Sequence, residues 1–173
     1  MSQVIPLILN GIELTMDDGP IRQSYAPADG GSTELRMAGG QLIKQTHFQK
    51  MVITTSATGY IDPPFEYLDY SRPMELWCIE PLSAWGRTNV FQLPPETARR
   101  PDVEPWAWAW VDGNWRDVPL SVQGRVATLT TVPGARQYRV FWLPRFTVYM
   151  NRPVSEFDEQ RGTYDWSFEA RER

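Results

Sequence analysis

The last residues of the chain alternate strictly between large apolar and polar side chains. Tyr164, Trp166, Phe168 and Ala170 occupy every second position, and polar or charged residues stand between them. Because successive side chains of a β-strand point to opposite faces of the sheet, this pattern predicts a half-buried strand. A helix would need a period of 3.6 residues, which the segment lacks. We therefore expect the chain to end in a core strand.

The remaining sequence also favours short strands joined by tight turns. Asn10-Gly11 separates two apolar runs, and this dipeptide tolerates the positive φ angles of a two-residue hairpin turn. Asp112-Gly113-Asn114 follows the alternating segment 106–111 and predicts a second hairpin, and Ala38-Gly39-Gly40 predicts a third. Strands of this length and spacing predict an all-β fold, either an antiparallel β-sandwich or a barrel-like domain.

One short helix is expected in this β chain. Asp62 is a candidate N-cap, and Pro63 and Pro64 suit the first turn of a helix. We predict one or two helical turns over residues 62–69.

Charge and hydrophobicity argue against nucleic-acid and membrane partners. The formal net charge is −4, the pI is about 5.1, and basic residues adjoin only at Arg99-Arg100. Duplex nucleic acid is bound by concentrated positive charge, so we expect no nucleic-acid binding. The apolar run from Val4 to Leu9 is interrupted by Pro6 and lacks the flanks of a signal peptide. We expect no membrane insertion and synthesis in the cytoplasm.

Residue types that carry catalysis or bind metals are scarce. His47 is the sole histidine and Cys78 the sole cysteine, and no nucleophile-elbow sequence accompanies His47. A structural zinc site needs about four Cys or His ligands, which the chain does not have. The carboxylates that could be nominated for glycoside hydrolysis, without any spacing that selects them, are Glu66, Asp69, Glu75 and Glu80. We predict no catalytic residue, no cofactor and no metal.

The segment 106–111 carries the most distinctive candidate surface. Trp106, Trp108 and Trp110 alternate with small apolar residues, so three indoles share one face of a strand. Packing in a core or at a subunit interface explains such a row. Carbohydrate binding also explains it, because exposed indoles stack on sugar rings.

Four groups of motifs together resemble a known protein family. They are Leu35-Arg36-Met37 with Gly40 and Ile43-Lys44-Gln45, Gly59-Tyr60-Ile61-Asp62-Pro63-Pro64-Phe65 with Leu68-Asp69, Tyr138-Arg139-Val140-Phe141-Trp142-Leu143-Pro144, and the ending from Gly162 to Glu172. The chain resembles minor tail proteins of long-tailed bacteriophages and prophages, of the distal-tail or baseplate-hub kind. A terminal strand of the type Tyr-x-Trp-x-Phe that closes in acidic residues is typical of them.

The resemblance implies a structural virion protein with a tail-tube-type β-domain. Such a subunit closes into a ring, with a hexamer favoured and a trimer as the alternative, and it joins the tail tube to tip proteins such as the hub. It would be assembled in the bacterial cytoplasm and reside in the virion tail. Because the chain is short for two full domains, we expect a main β-sandwich of residues 1–100 and 134–173 with a small inserted β lobe at 101–133.

The Gly- and Pro-rich stretch 17–32 predicts a long loop around a short strand at 21–25. On the ring hypothesis this loop is an arm that reaches the adjacent subunit, with the candidate contacts Asp18, Arg22, Tyr25 and Asp29. The alternative function is a carbohydrate-binding β-sandwich module that contacts the host surface.

Overall fold

The computed structural model describes residues 5–46 and 49–173. Within these residues the chain forms β1 (Leu7–Leu9), β2 (Ile12–Leu14), β3 (Arg22–Pro27), β4 (Ser32–Arg36), β5 (Leu42–Thr46), β6 (Met51–Gly59), β7 (Met74–Trp77), β8 (Leu82–Gly86), β9 (Val90–Gln92), β10 (Trp106–Val111), β11 (Asn114–Val118), β12 (Leu120–Gln123), β13 (Val126–Leu129), β14 (Gln137–Trp142), β15 (Arg145–Met150), β16 (Val154–Asp158) and β17 (Thr163–Glu172). Single 3-10 turns span Met16–Asp18, Phe65–Tyr67 and Glu96–Ala98. The described chain is all-β, and its sheets are antiparallel.

The chain divides into two compact units. Residues up to Leu76 and from Thr147 onward form the first unit, and Trp77–Phe146 forms the second. The chain passes between them twice, within β7 and within β15. The second unit is therefore an insertion in the first.

The long C-terminal strand organises the first unit. Its sheet has the order β2-β1-β7-β15-β17-β6-β3, and β16 also pairs with β17. Trp166, Phe168 and Ala170 on β17 are buried, and the residues between them are exposed. Phe65 packs edge-on against Trp166, with ring centroids 5.4 Å apart. The predicted core strand is confirmed, and it has neighbours along both of its edges.

The second unit is a small sandwich of two sheets. One sheet has the order β11-β10-β14-β8 and the other the order β12-β13-β9. Side chains from both sheets form one buried cluster, in which Ala107, Ala109 and Val140 of the first sheet meet Phe91 and Leu129 of the second. Burial of apolar surface between the two sheets is the main force that holds this unit together.

The hairpin turns lie where the sequence predicts them. Asn10 and Gly11 have φ values of 48° and 87°, and Asp112 and Gly113 have φ values of 49° and 81°. These left-handed pairs match the right-handed twist of the strands they join. The third predicted hairpin forms as β4 and β5.

The expected helix over residues 62–69 is a single 3-10 turn at Phe65–Tyr67. Pro64 before it has ψ 52° and gives no side-chain cap, and Leu68 after it is already extended. Without a cap or a second hydrogen-bonded turn, the helix does not propagate.

The inserted unit is larger than the lobe expected at 101–133. Strand β9 pairs with β13, and β8 and β10 both pair with β14. These pairings bring residues from 77 to 100 and from 134 to 146 into the same unit. Both expected boundaries, at 101 and 133, lie inside the unit.

Candidate functional site

The four-stranded sheet of the second unit has one face directed to the core and one directed away from it. On β10, Ala107, Ala109 and Val111 are buried in the core cluster. Trp106, Trp108 and Trp110 alternate with them and are half-buried on the opposite face. The indoles are therefore not part of the core of this unit. Core packing was one of the explanations that the sequence left open.

Neighbouring strands extend this row into an aromatic surface. Residues directly opposite one another in paired strands share a face of the sheet. Trp115 lies opposite Trp110, Phe141 lies opposite Trp106, and Trp85 joins the row of Trp108 through Arg139 on β14. We call this surface the aromatic face and define it by Trp85, Trp106, Trp108, Trp110, Trp115 and Phe141. At ordinary strand spacing it measures about 14 Å by 14 Å.

The rings of the aromatic face hold one another in place. Trp106 stacks on Phe141 with centroids 5.6 Å apart and planes 10° apart. Trp108 meets the same ring edge-on at 4.7 Å, and Trp110 meets Trp115 edge-on at 5.2 Å. Aromatic pairs at such distances fix ring orientation. The face is thus a pre-ordered surface, whose most exposed ring is Trp85 at 67%.

Two charged side chains lie in the middle row of the aromatic face. Asp117 is opposite Trp108 on one side, and Arg139 is opposite it on the other. The Arg139 guanidinium lies 5.4 Å from the centroid of Phe141, a cation–π distance. A carboxylate and a guanidinium among aromatic rings can accept from and donate to the hydroxyls of a sugar or the polar atoms of a protein. The surface has the chemistry of a binding face.

Sequence reasoning found three of the six rings. Trp85, Trp115 and Phe141 were missed because they join the face through strand register, which one chain segment does not reveal. A signal was present on β14, where Arg139 and Phe141 alternate with the core residues Tyr138 and Val140.

The first residues of the predicted inter-subunit arm are buried against the first unit. Asp18 is only 6% exposed, and its carboxylate accepts hydrogen bonds from the backbone and hydroxyl of Thr15. Its carbonyl accepts a hydrogen bond of 2.9 Å from the indole of Trp166. Gly19 lies against the backbone of Thr58. Asp18 therefore cannot be a free contact to a neighbouring subunit, and this expectation is corrected.

The rest of the predicted arm is mostly an edge strand. Residues 22–27 form β3, which pairs with β6 in the register Arg22↔Ser56 to Pro27↔Met51. Arg22 is exposed, Tyr25 is half-buried, and Asp29 is exposed in the turn that follows. The sequence of 17–32 favours a loop because glycines and prolines mark its ends, but β6 supplies pairing partners for its middle. Deleting residues 18–31 would remove this strand as well as any assembly contact.

Arg99 and Arg100, the only adjoining basic pair, serve the interior of the second unit. Both are buried, and Arg99 donates to the carbonyl of Gly124. Arg100 forms an ion pair of 2.6 Å with Asp102 and donates to the carbonyl of Cys78. Hydrogen bonding to this guanidinium holds the pKa of Asp102 below its ordinary value. These arginines are not a surface patch for phosphate.

Other residues that the sequence analysis considered for chemistry have structural surroundings of their own. Glu66 faces Arg152 at 3.8 Å, and hydrogen bonds from Ser71 hold the pKa of Asp69 below its ordinary value. Cys78 is buried. His47 lies outside the described residues, as does Val4. Among the residues that are described, no group of three or more His, Cys, Asp or Glu side chains is placed to hold a metal ion.

In the described part of the chain, no helix has the length and apolar character needed to cross a membrane. The fold is that of an all-β protein that carries the aromatic face on an inserted sandwich. No protein-family model matches the chain, and no significant match was found among curated proteins or solved structures.

Proposed function

We propose that this chain is a structural subunit of a bacteriophage tail tip or baseplate. It assembles into a ring that joins the tail tube to tip proteins such as the hub, and it needs no catalytic residue or cofactor. On this proposal it is assembled in the bacterial cytoplasm and resides in the virion tail. The family assignment rests on the resemblance of the four groups of motifs.

The observation that carries an assembly function is the exposure of large apolar side chains in both units. Trp85, Val154, Phe157 and Leu35 are between 50% and 67% exposed. Association with other chains would remove these side chains from water. The sheet edges at β3 and β11 offer further pairing surfaces to neighbours.

In a closed ring, every subunit makes the same contacts with its two neighbours. The exposed apolar surfaces are therefore covered in every subunit. We favour a hexamer, with a trimer as the alternative. The test is native mass spectrometry of the purified chain together with antibody labelling of tailed particles from the strain that carries the gene. Six copies of the 20.0 kDa chain give 120 kDa and three give 60 kDa. A 20 kDa monomer that is absent from tail particles would contradict the proposal.

The aromatic face supports a second candidate function, carbohydrate binding at the host surface. Its rings are pre-ordered, partly exposed and accompanied by Asp117 and Arg139, which is the combination that stacks on a sugar and bonds its hydroxyls. A short oligosaccharide lying across β10 and β14 would contact Trp108 in the middle row.

Glycan-array binding by the full chain tests this second function. Trp108→Ala should abolish binding while the protein stays folded, because Trp108 faces away from the core. Tyr67→Ala is the matched control, since Tyr67 is an aromatic residue of the first unit and is 82% exposed. Glycan binding that survives Trp108→Ala, or no glycan binding by the unaltered chain, counts against this function.

A further inference from the structure

The hairpin β4–β5 presents apolar side chains that its own chain does not cover. Leu35 lies directly opposite Ile43, so both point to one face, and Met37 follows directly after the end of β4. Their exposed fractions are 50%, 38% and 54%. Every residue from 34 to 44 is exposed. An isolated two-stranded sheet is marginal in water, so a partner that covered these side chains would stabilise the hairpin.

A groove of suitable chemistry lies elsewhere on the first unit. It has a volume of about 420 Å³ and lies between the 3-10 turn at Phe65–Tyr67 and β16. Its apolar lining includes Pro63, Phe157 and Tyr164, and the last two rings contact each other with centroids 4.8 Å apart. Phe157 is 57% exposed. The groove thus offers apolar surface that the chain itself leaves open.

The charges of the hairpin and the groove are complementary. The hairpin carries Arg36 and Lys44 against one carboxylate, Glu34, for a net charge of +1. The groove is lined by Asp62 and Glu66 against Arg152, for a net charge of −1. Opposite charges around an apolar contact steer association and fix its register.

The hairpin does not occupy the groove of its own chain, because apolar side chains of both are exposed. Its base is held where Ala28 donates to the carbonyl of Lys50, next to the start of β6 at Met51. The groove lies at the other end of β6, where Gly59 pairs with Tyr164. Eight residues of strand separate the two ends by about 27 Å, and apolar side chains of both the hairpin and the groove are exposed. The occupant that these two open surfaces favour is therefore a second copy of the chain.

We infer that the β4–β5 hairpin of one copy docks in the Phe157–Tyr164 groove of the next. The inference deepens the proposed assembly function and rests on it, because it names the surfaces that hold neighbours together. Donor and acceptor lie at opposite ends of one strand, so the contact is head-to-tail, and such a contact closes into a ring when its rotation permits. Each subunit gives one hairpin and accepts one.

Two full-length variants test the contact by light scattering coupled to size-exclusion chromatography. Leu35→Glu with Ile43→Lys removes the apolar face of the hairpin but keeps a cross-strand pair of opposite charge. Phe157→Glu places a carboxylate in the groove. Each variant alone should be a monomer, with a dissociation constant raised at least about 100-fold. Val126→Glu, at a residue of the second unit that is 43% exposed, is the matched control and should assemble as the unaltered chain does.

Mixing the two variants gives the decisive result. The hairpin variant keeps an intact groove and the groove variant keeps an intact hairpin, so one productive contact remains between them. An equimolar mixture should form a dimer of 40 kDa, twice the mass of the chain, and nothing larger. A mixture that stays monomeric, or either variant assembling as the unaltered chain does, overturns the inference. A monomeric unaltered chain also overturns it.

The proposed function is judged separately, by the presence of the unaltered chain in tail particles. If the variants assemble normally and the protein is found in tails, the docking contact is refuted and the proposed function stands.

Discussion

Replacement of Gly19 by alanine should destabilise the first unit severely, because the backbone of this residue touches the backbone of β6. A Cβ atom on Gly19 would lie 1.9 Å from the carbonyl oxygen of Thr58, whereas real Cβ contacts are essentially never below 3.0 Å. The two backbone segments would have to separate by about 1 Å. Gly19 also has φ +105°, a conformation that side chains other than hydrogen disfavour.

The magnitude follows from the contacts that such a separation breaks. The carbonyl of Asp17 accepts hydrogen bonds from Tyr60 and Ile61, and the carbonyl of Asp18 accepts one from the Trp166 indole. Each such bond contributes about 1 kcal/mol net. The unfavourable φ adds about 1 kcal/mol. We expect Gly19→Ala to lower the free energy of unfolding by about 3–5 kcal/mol, a large share of the roughly 5–15 kcal/mol typical of a domain.

Substitutions at two other glycines separate the conformational cost of a Cβ atom from its steric cost. Gly11 has φ +87° and no atom within 4 Å of the position that a methyl group would occupy, so Gly11→Ala should cost only the conformational term, about 1 kcal/mol. Gly59 lacks a positive φ, but its Cβ would lie 2.1 Å from the carbonyl carbon of Asp18. Gly59→Ala should therefore cost about 2–4 kcal/mol through the steric term alone.

The assay is guanidinium unfolding combined with hydrogen exchange of peptides from β6 and β17. Hydrogen exchange reports on the first unit alone. A guanidinium transition by itself would combine the unfolding of both units. Equal losses for Gly19→Ala and Gly11→Ala would refute the reasoning, because they would mean that residues 16–19 do not dock on β6.

Two further changes test the second unit. Asp102→Asn should lower its stability by about 1–2 kcal/mol at pH 7, because it removes the carboxylate paired with the buried Arg100. Since the folded pKa of Asp102 is lowered, its contribution is present above the unfolded pKa and is lost as pH falls through the folded pKa. Urea unfolding of both proteins should thus converge in acid; a constant difference down to acidic pH would contradict this. Ala109→Leu should cost about 1–3 kcal/mol by overpacking the core, because Ala109 is fully buried. An unchanged midpoint of thermal unfolding would mean that the two faces of β10 are assigned wrongly.

The parts of the fold that were predicted correctly rest on local chemistry. Asn10-Gly11 and Asp112-Gly113 adopt positive φ angles almost wherever they separate two strands, so they indicate a hairpin without knowledge of the rest of the chain. The alternation that ends at Ala170 likewise needs only one buried face of a sheet.

The parts that were missed depend on pairing between distant residues. Nothing near Arg22 in the sequence indicates that its strand pairs with residues around Ser56, and the glycines on either side favour a loop. The limits of the inserted unit depend on β9 meeting β13 and β8 meeting β14. The six rings of the aromatic face lie on four strands, and only strand pairing brings them together. The sequence therefore indicated the three tryptophans of β10 but not the other three rings.

Strand β10 also shows why period-two alternation alone does not identify the buried face. Hydrophobicity would place its tryptophans inside, since indoles gain more from burial than alanine methyl groups do. The opposite sheet, however, contributes Phe91 and Leu129 to the core, and two sheets about 10 Å apart cannot hold large side chains from both sides at one level. Ala107 and Ala109 give those side chains room, which leaves the indoles on the outer face. A row of half-buried tryptophans kept out of the core by small residues gains further stabilisation when something outside covers it. That is the physical reason to test the aromatic face, as well as the hairpin, for binding of another subunit or a sugar.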